Sequence, residues 1–124
     1  MVDERLSKNF MRSEFACTGH ACCGKSAPVT MELVHALQQL RDLVNAPLVI
    51  ISGFRCRAKN DRTPGAAKDS YHTKGMAADI VCPSVSPSQL ALYAEQVPAF
   101  RHGGIAVYGA WVHVDVRTNG KWRG

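Results

Sequence analysis

The chain has 124 residues, 46% apolar and 20% charged, and this composition is that of an ordinary soluble globular protein. Its length fits one domain, so we predict a single domain over residues 1–124 with a core of its own. The formal net charge of +5 favours an anionic partner. The basic residues are scattered without interleaved aromatic side chains, which argues against nucleic acid as that partner. No apolar run approaches the length of a membrane-spanning helix.

Two segments near the N-terminus come first along the chain. The stretch "MVDERLSKNFMRSEF" is charged throughout and lacks an apolar core, so we expect no secretory signal. Behind it, "CTGHACCGK" gathers Cys17, Cys22 and Cys23 around His20, a set that could hold a structural metal ion. A CxxC pair is absent and two of the cysteines are adjacent. A loop with buried or reduced thiols, or with one disulfide, is therefore the simpler interpretation.

Residues 30–47, "TMELVHALQQLRDLVNAP", predict the first helix. Thr30 is a suitable N-cap, and Pro47 follows the end of the helix. Apolar residues recur at spacings of three and four, and they form one stripe that faces a core: Leu33, Leu37, Leu40 and Val44.

Strands are predicted in three places. Residues 48–52, "LVIIS", and 76–82, "MAADIVC", are short apolar runs with β-branched residues. Between them, residues 53–69 form a long polar loop, and loops of that length in compact domains tend to be functional or disordered. Residues 103–118 predict two strands joined around Gly109, which is an antiparallel hairpin.

The second helix is predicted from "SVSPSQLALYAEQVP", which lies before the hairpin. Ser86 is its N-cap, Pro87 takes the first helical position, and Pro98 stops it. Helices and antiparallel strands in this order predict an α+β fold in which helices flank a small antiparallel sheet.

The last predicted strand, "AWVHVDV", alternates valines with Trp111, His113 and Asp115. Side chains on a strand alternate between faces, so the valines pack inward and the other three share the opposite face. Upstream, "SYHTKGMAADI" supplies His72 and Asp79. Two imidazoles and a carboxylate suit zinc and leave a fourth position open for water, the arrangement of a catalytic site. The alternative is a loop hydrogen bond for His72 and an exposed strand position for His113.

These residues resemble a known family. "SYHTKGMAAD" fits the pattern Ser-x-His-x-x-Gly-x-Ala-x-Asp of the zinc D-alanyl-D-alanine carboxypeptidases, and "WVHVD" resembles the segment with their last histidine ligand. "ISGFRC" resembles the strand-plus-arginine segment before the motif. The similarity runs from about Phe15 to Arg117 and implies the fold of these peptidases, which is also seen in hedgehog signalling domains. It implies zinc held by His72, Asp79 and His113.

The resemblance also implies residues that contact the substrate. Ser70 and Arg55 would hold or polarise the substrate peptide, and Arg55 would also stabilise the oxyanion during catalysis, since Arg is a fixed bidentate donor for carboxylates. Tyr108 is a further candidate to donate to a developing oxyanion, with packing at the strand end as the alternative.

One departure from the family pattern concerns the catalytic base. Many members place an acidic residue three positions before the last histidine, or a second histidine two positions before it. This chain has Ala110 and Trp111 there. Asp115, on the strand face of His113, is the nearest candidate to activate water, and it is equally suited to fix an imidazole as a partner behind the metal.

The function predicted from the sequence is a zinc metallopeptidase that hydrolyses amide bonds in peptidoglycan stem peptides or cross-links, like a D-Ala-D-Ala carboxypeptidase or an endolysin. The alternative is a non-catalytic, zinc-stabilised cell-wall-binding module. We expect a monomer with no nucleic-acid or membrane partner. Without a signal, the protein would be phage-encoded or virion-associated, or would stay in the cytoplasm until it is released to the wall.

Overall fold

The structure is a computed structural model, and it describes residues 4–16, 29–53 and 71–124. The cysteine cluster around His20, the candidate residues Arg55 and Ser70, and most of the predicted loop lie outside these ranges. Within the described ranges, a four-stranded antiparallel sheet and three α-helices confirm the predicted α+β fold.

The predicted helices and strands occur in the predicted order, with additional short helices before and between them. The strands are β1 Val49–Ser52, β2 Ala77–Val81, β3 Gly104–Tyr108 and β4 Trp111–Asp115. The α-helices are α1 Met31–Val44, α2 Pro87–Ala94 and α3 Pro98–Arg101. Two 3-10 helices accompany them, Arg12–Phe15 and Tyr71–Lys74.

Helix α1 confirms the predicted cap and apolar stripe. The Thr30 hydroxyl accepts a hydrogen bond from the Leu33 N–H at 3.3 Å, which satisfies one of the backbone donors that a helix start leaves unpaired. The helix ends at Asn45, whose φ of 56° lies in the left-handed region where chains commonly leave a helix. Of the helices in the described ranges, none is long and apolar enough to cross a membrane.

The second predicted helix is shorter than predicted, and a further short helix, α3, follows it. Ser86 caps α2 as predicted, since its hydroxyl accepts from the Gln89 N–H at 3.2 Å. The helix, however, ends at Ala94, before Pro98, so the prediction that Pro98 stops it is wrong. Pro98 instead begins α3, because its fixed φ suits the first helical position and its missing N–H has no partner to lose there.

The sheet has the strand order β1-β2-β4-β3, and each neighbouring pair is antiparallel. Tyr108 pairs with Trp111 at the hairpin turn, which confirms the hairpin predicted around Gly109. In the centre, Asp79 of β2 pairs directly with His113 of β4. Residues far apart in sequence are therefore cross-strand neighbours, with side chains close enough to interact.

One face of the sheet packs against the helices in a single hydrophobic core. The valines of β4 lie on this face, as predicted, and Val112 and Val114 are fully buried with Leu37 of α1. Truncating such a leucine to alanine costs about 2–5 kcal/mol, so this packing holds α1 firmly against the sheet. The opposite face carries Asp79 and His113, and the position of that face is fixed by the core behind it.

Candidate metal centre

His72 reaches the sheet from the 3-10 helix Tyr71–Lys74, which lies just before β2. Gly75 has a φ of 69°, a conformation that residues with a Cβ rarely adopt, and it turns the chain from this helix into the strand. The Gly75 carbonyl also accepts a hydrogen bond from the Thr30 N–H at 3.0 Å. The start of α1 therefore anchors the turn that presents His72.

Three side chains converge on the face opposite the core. His72 Nε2 lies 3.3 Å from Asp79 Oδ1, and His113 Nδ1 lies 3.2 Å from the same oxygen. One ligand atom from each residue lies within 4.8 Å of the other two. The structure thus brings together the three residues predicted to bind a metal, one from a 3-10 helix and two from adjacent strands.

The outer nitrogen of each imidazole has an acceptor of its own. His72 Nδ1 lies 2.8 Å from the Gly53 carbonyl oxygen, and His113 Nε2 lies 2.8 Å from Asp115 Oδ2. A carbonyl and a carboxylate only accept, so these two nitrogens carry the hydrogens. In neutral imidazoles the lone pairs of His72 Nε2 and His113 Nδ1 then both point toward the Asp79 carboxylate.

Such an arrangement suits a cation between the three groups. Burial raises the pKa of Asp79, but the hydrogen bonds and charges of His113 and His72 lower it by a larger amount. The pKa of Asp79 therefore lies well below its ordinary value. The carboxylate is therefore an anion at neutral pH, and each imidazole nitrogen that faces it either carries a proton or offers it a lone pair. An anion and two lone pairs repel one another unless a proton or a metal ion lies between them.

The spacing of the donor atoms matches zinc. Atoms that each bind zinc at about 2.0–2.1 Å and subtend a tetrahedral angle lie about 3.3 Å apart. The two measured separations from Asp79 Oδ1, 3.2 and 3.3 Å, agree with that value. Two imidazole nitrogens and a carboxylate oxygen are also a donor set that zinc commonly takes at catalytic sites. The residues present therefore fit a zinc ion.

Asp115 lies behind His113 and is fully buried. Its Oδ1 accepts from the Gly104 N–H at 2.9 Å and from Arg117 Nε at 2.8 Å, and its Oδ2 accepts from Arg117 Nη2 at 2.7 Å. Burial raises the pKa of Asp115, but the hydrogen bonds of His113 and Arg117 lower it to well below the ordinary value. Of the two roles considered for Asp115, this geometry favours the one that fixes the imidazole.

Two residues of this network were missed in the sequence. Gly104 must be glycine because a Cβ at this position would overlap the Asp115 carboxylate. Arg117 donates to both oxygens of Asp115, through Nε and Nη2. The spacing Asp-x-Arg at the end of a strand was the available signal for Arg117, whereas the closeness of Gly104 depends on strand pairing that one sequence does not reveal.

Tyr108 lies at the hairpin end of the same sheet face. By the strand register it is opposite Trp111, and the two rings stack at 5.7 Å with an interplanar angle of 25°. The Tyr108 and Trp111 side chains are 41% and 36% exposed. Trp111 lies two residues before His113 on the same strand face, and the stacked Tyr108 ring extends this face toward the hairpin end.

Similarity to known proteins agrees with this geometry. Residues 8–115 match the family described as Peptidase M15. The chain is 30% identical over 106 residues to the probable peptidoglycan L,D-endopeptidase MepK of Haemophilus influenzae, covering 81% of this chain and 55% of that protein. It is 33% identical over 98 residues to peptidoglycan L,D-endopeptidase MepK of Escherichia coli, covering 73% of this chain and 52% of that protein. The chain thus spans about half the length of the curated relatives it matches.

Proposed function

Because this chain belongs to the peptidase M15 family, we propose that it is a zinc metallopeptidase that cleaves peptide bonds of peptidoglycan. The observation that carries the proposal is the convergence of His72, Asp79 and His113 on one point, with the lone pairs of both imidazoles directed inward. These three side chains would hold the zinc ion. Bound there, the ion would supply Lewis acidity that activates water and polarises the scissile carbonyl.

Each ligand has a separate support. The Gly53 carbonyl fixes the ring of His72, and the Asp115 carboxylate fixes the ring of His113. Partners of this kind set the tautomer and orientation of a metal-binding imidazole and raise its basicity. Asp115 would therefore act through His113, and its five hydrogen bonds leave no lone pair to accept a proton from water.

Three residues would contact the substrate. Tyr108 would donate its hydroxyl to the oxyanion that develops at the scissile carbonyl, and its place on the exposed end of the site face supports this role. Ser70 and Arg55 would bind the substrate peptide, with Arg55 directed at a carboxylate or the same oxyanion. The formal net charge of +5 suits an anionic wall polymer.

We further propose that the bond cleaved lies inside a peptide, as in an endopeptidase, and joins an L- to a D-configured residue. Both relatives described above carry the name peptidoglycan L,D-endopeptidase. A carboxypeptidase that removes a terminal D-alanine is the competing assignment. The two differ in their products, because only the carboxypeptidase releases free D-alanine.

Mass spectrometry of digested, purified cell-wall sacculi tests the function and names the bond together. We expect the zinc-loaded protein to release soluble muropeptides with no free D-alanine, and His72→Ala to release none. His35→Ala is a matched control, because His35 is exposed on α1 and away from the site. A wild-type protein that holds zinc but cleaves no wall peptide would remove the peptidase proposal.

That last result would favour the second candidate, a non-catalytic wall-binding module stabilised by zinc. The observation behind it is that Ala110 and Trp111, at the positions where relatives of the resembled family carry a base, are both exposed and neither can accept a proton. Sedimentation with sacculi separates the two candidates. A module remains bound to the wall without releasing peptides, whereas the enzyme releases them.

A further inference from the structure

We propose that Arg117 is a positioning residue that fixes the His113 imidazole for zinc through the Asp115 carboxylate, while its guanidinium is held by contacts with the rings of Tyr71 and Trp122. The inference rests on the zinc site of the proposed function, although it does not depend on the substrate. It assigns a role to an arginine outside the zinc motif.

The link from Arg117 to His113 is direct. Arg117 Nε donates to Asp115 Oδ1 at 2.8 Å, and Nη2 donates to Oδ2 at 2.7 Å. Oδ2 also accepts from His113 Nε2 at 2.8 Å. A planar guanidinium that makes two parallel bonds sets the plane of the carboxylate. That plane in turn determines where the hydrogen of His113 Nε2 points and, with it, the direction of the Nδ1 lone pair.

The guanidinium is itself held by two aromatic rings. Its Cζ lies 4.4 Å from the centre of the Tyr71 ring and 4.7 Å from that of Trp122. Both distances are within the range of attraction between a cation and an aromatic face. Trp122 also contacts the His113 ring edge-on, at 5.5 Å between centres. The Arg117 side chain is 16% exposed, so water screens these contacts little.

The arrangement joins both histidines through one side chain. Tyr71 immediately precedes His72 in the 3-10 helix, whereas Asp115 follows His113 on β4. Tyr71 is also tied to the segment after β4, because its hydroxyl donates to Asn119 Oδ1 at 3.0 Å. Arg117 therefore braces the element that carries one imidazole against the strand that carries the other. Loss of the brace would let the separation of the two ligand nitrogens vary.

The test uses two variants and a matched control. Arg117→Met keeps an apolar side chain beside the rings but removes the charge and all donors of the side chain, and Arg117→Lys keeps the charge without the planar fork. Arg123→Met is the control, because Arg123 also pairs with a carboxylate through two bonds, to Glu95 at 2.9 and 2.7 Å. Its hydrogen bond to Trp122 goes to the backbone carbonyl, not to the ring that contacts Arg117. Thermal unfolding of each protein measures stability separately.

The first readout is the affinity of each folded, full-length protein for zinc, measured in competition with a chelator. Substitutions of residues that orient metal ligands typically weaken metal binding by about 10–100-fold. We expect a loss of that size in Arg117→Met, a smaller loss in Arg117→Lys, and none in Arg123→Met, which lowers only the unfolding temperature. If Arg117→Met does not fold, the zinc affinity of Arg117→Lys is compared with that of Arg123→Met instead. We expect only Arg117→Lys to bind zinc more weakly than wild type.

The second readout is the Nε2–H proton of His113 in long-range proton–nitrogen NMR spectra of the zinc-loaded protein. A purely structural role for Arg117 would lower stability without changing this signal. We expect slow exchange with water in wild type and faster exchange in Arg117→Met. Unchanged zinc affinity and unchanged proton exchange in folded Arg117→Met would overturn the inference.

The inference and the proposed function fail in different ways. If wild type binds zinc and the Arg117 variants bind it more weakly, but no protein cleaves sacculi, the positioning role stands and the peptidase proposal falls. If wild type cleaves sacculi and the Arg117 variants bind zinc as tightly as wild type, the peptidase proposal stands and the positioning role of Arg117 falls. A wild type that binds no zinc overturns both.

Discussion

Replacing Gly104 by alanine perturbs the site through a single methyl group placed against Asp115. The new Cβ would overlap Asp115 Oδ2 and would lie 2.6 Å from Cγ and 2.8 Å from Oδ1. Gly104 does not have a positive φ, so the backbone itself would accept alanine. The effect of the substitution therefore comes from the carboxylate alone.

The displacement cannot be absorbed easily, because the carboxylate is held from several sides. The Gly104 N–H of β3 donates to Oδ1 at 2.9 Å, while Arg117 and His113 donate to Oδ2. Forcing a methyl group into such a packed place costs about 1–3 kcal/mol of stability. If Asp115 moves instead, the His113 imidazole loses its fixed partner, and zinc affinity should fall by about 10–100-fold.

Chelator competition measures the zinc affinity of Gly104→Ala, and chemical unfolding measures its stability. Gly109→Ala is the matched control, because a Cβ at Gly109 meets nothing within 4 Å, although its φ of 36° disfavours alanine. We expect both variants to lose stability and only Gly104→Ala to lose zinc. A Gly104→Ala protein that binds zinc like wild type would refute the claim that the Asp115 carboxylate orients the ligand.

Three further predictions follow from the fold and the site. Tyr108→Phe should lower kcat on wall peptides by about 100-fold with zinc content unchanged, and an unaltered kcat would leave Tyr108 as packing alone. Trp122→Leu should weaken zinc binding, because one ring beside Arg117 is lost while the backbone hydrogen bonds of residue 122 to Gly103 and Ile105 remain. A zinc affinity equal to that of wild type in the chelator assay would contradict the role given to this ring. Thr30→Ala should lower the free energy of unfolding by about 1 kcal/mol and leave zinc affinity unchanged, because the hydroxyl caps only the start of α1. A lower zinc affinity in this variant would contradict that local role.

Much of the fold is visible in the sequence because local rules agree with the packing. The cap and apolar spacing of α1 depend on residues a few positions apart, and so does the alternation that sends Val112 and Val114 into the core. Membership in the peptidase M15 family agrees with the resemblance carried by the zinc motif. Helix α3 was missed because Pro98 is compatible with either the end or the start of a helix.

The surroundings of the site were harder to predict, because they depend on contacts between distant segments. Alternation predicted that Asp115 shares a face with His113, and this is correct, but a strand pattern does not tell a solvent-facing carboxylate from a buried one. Asp115 is buried because Gly104 of the neighbouring strand and Arg117 enclose it. The same limit applies to Trp122, which reaches the His113 ring from beyond the last strand.

The most direct test of the account is elemental analysis of the purified protein and of three single variants, His72→Ala, Asp79→Ala and His113→Ala. We expect about one zinc ion per wild-type chain, bound through all three side chains, and zinc lost from each variant while His35→Ala retains it. Zinc retained at the wild-type level after loss of each of the three side chains in turn would contradict a single site shared by these residues.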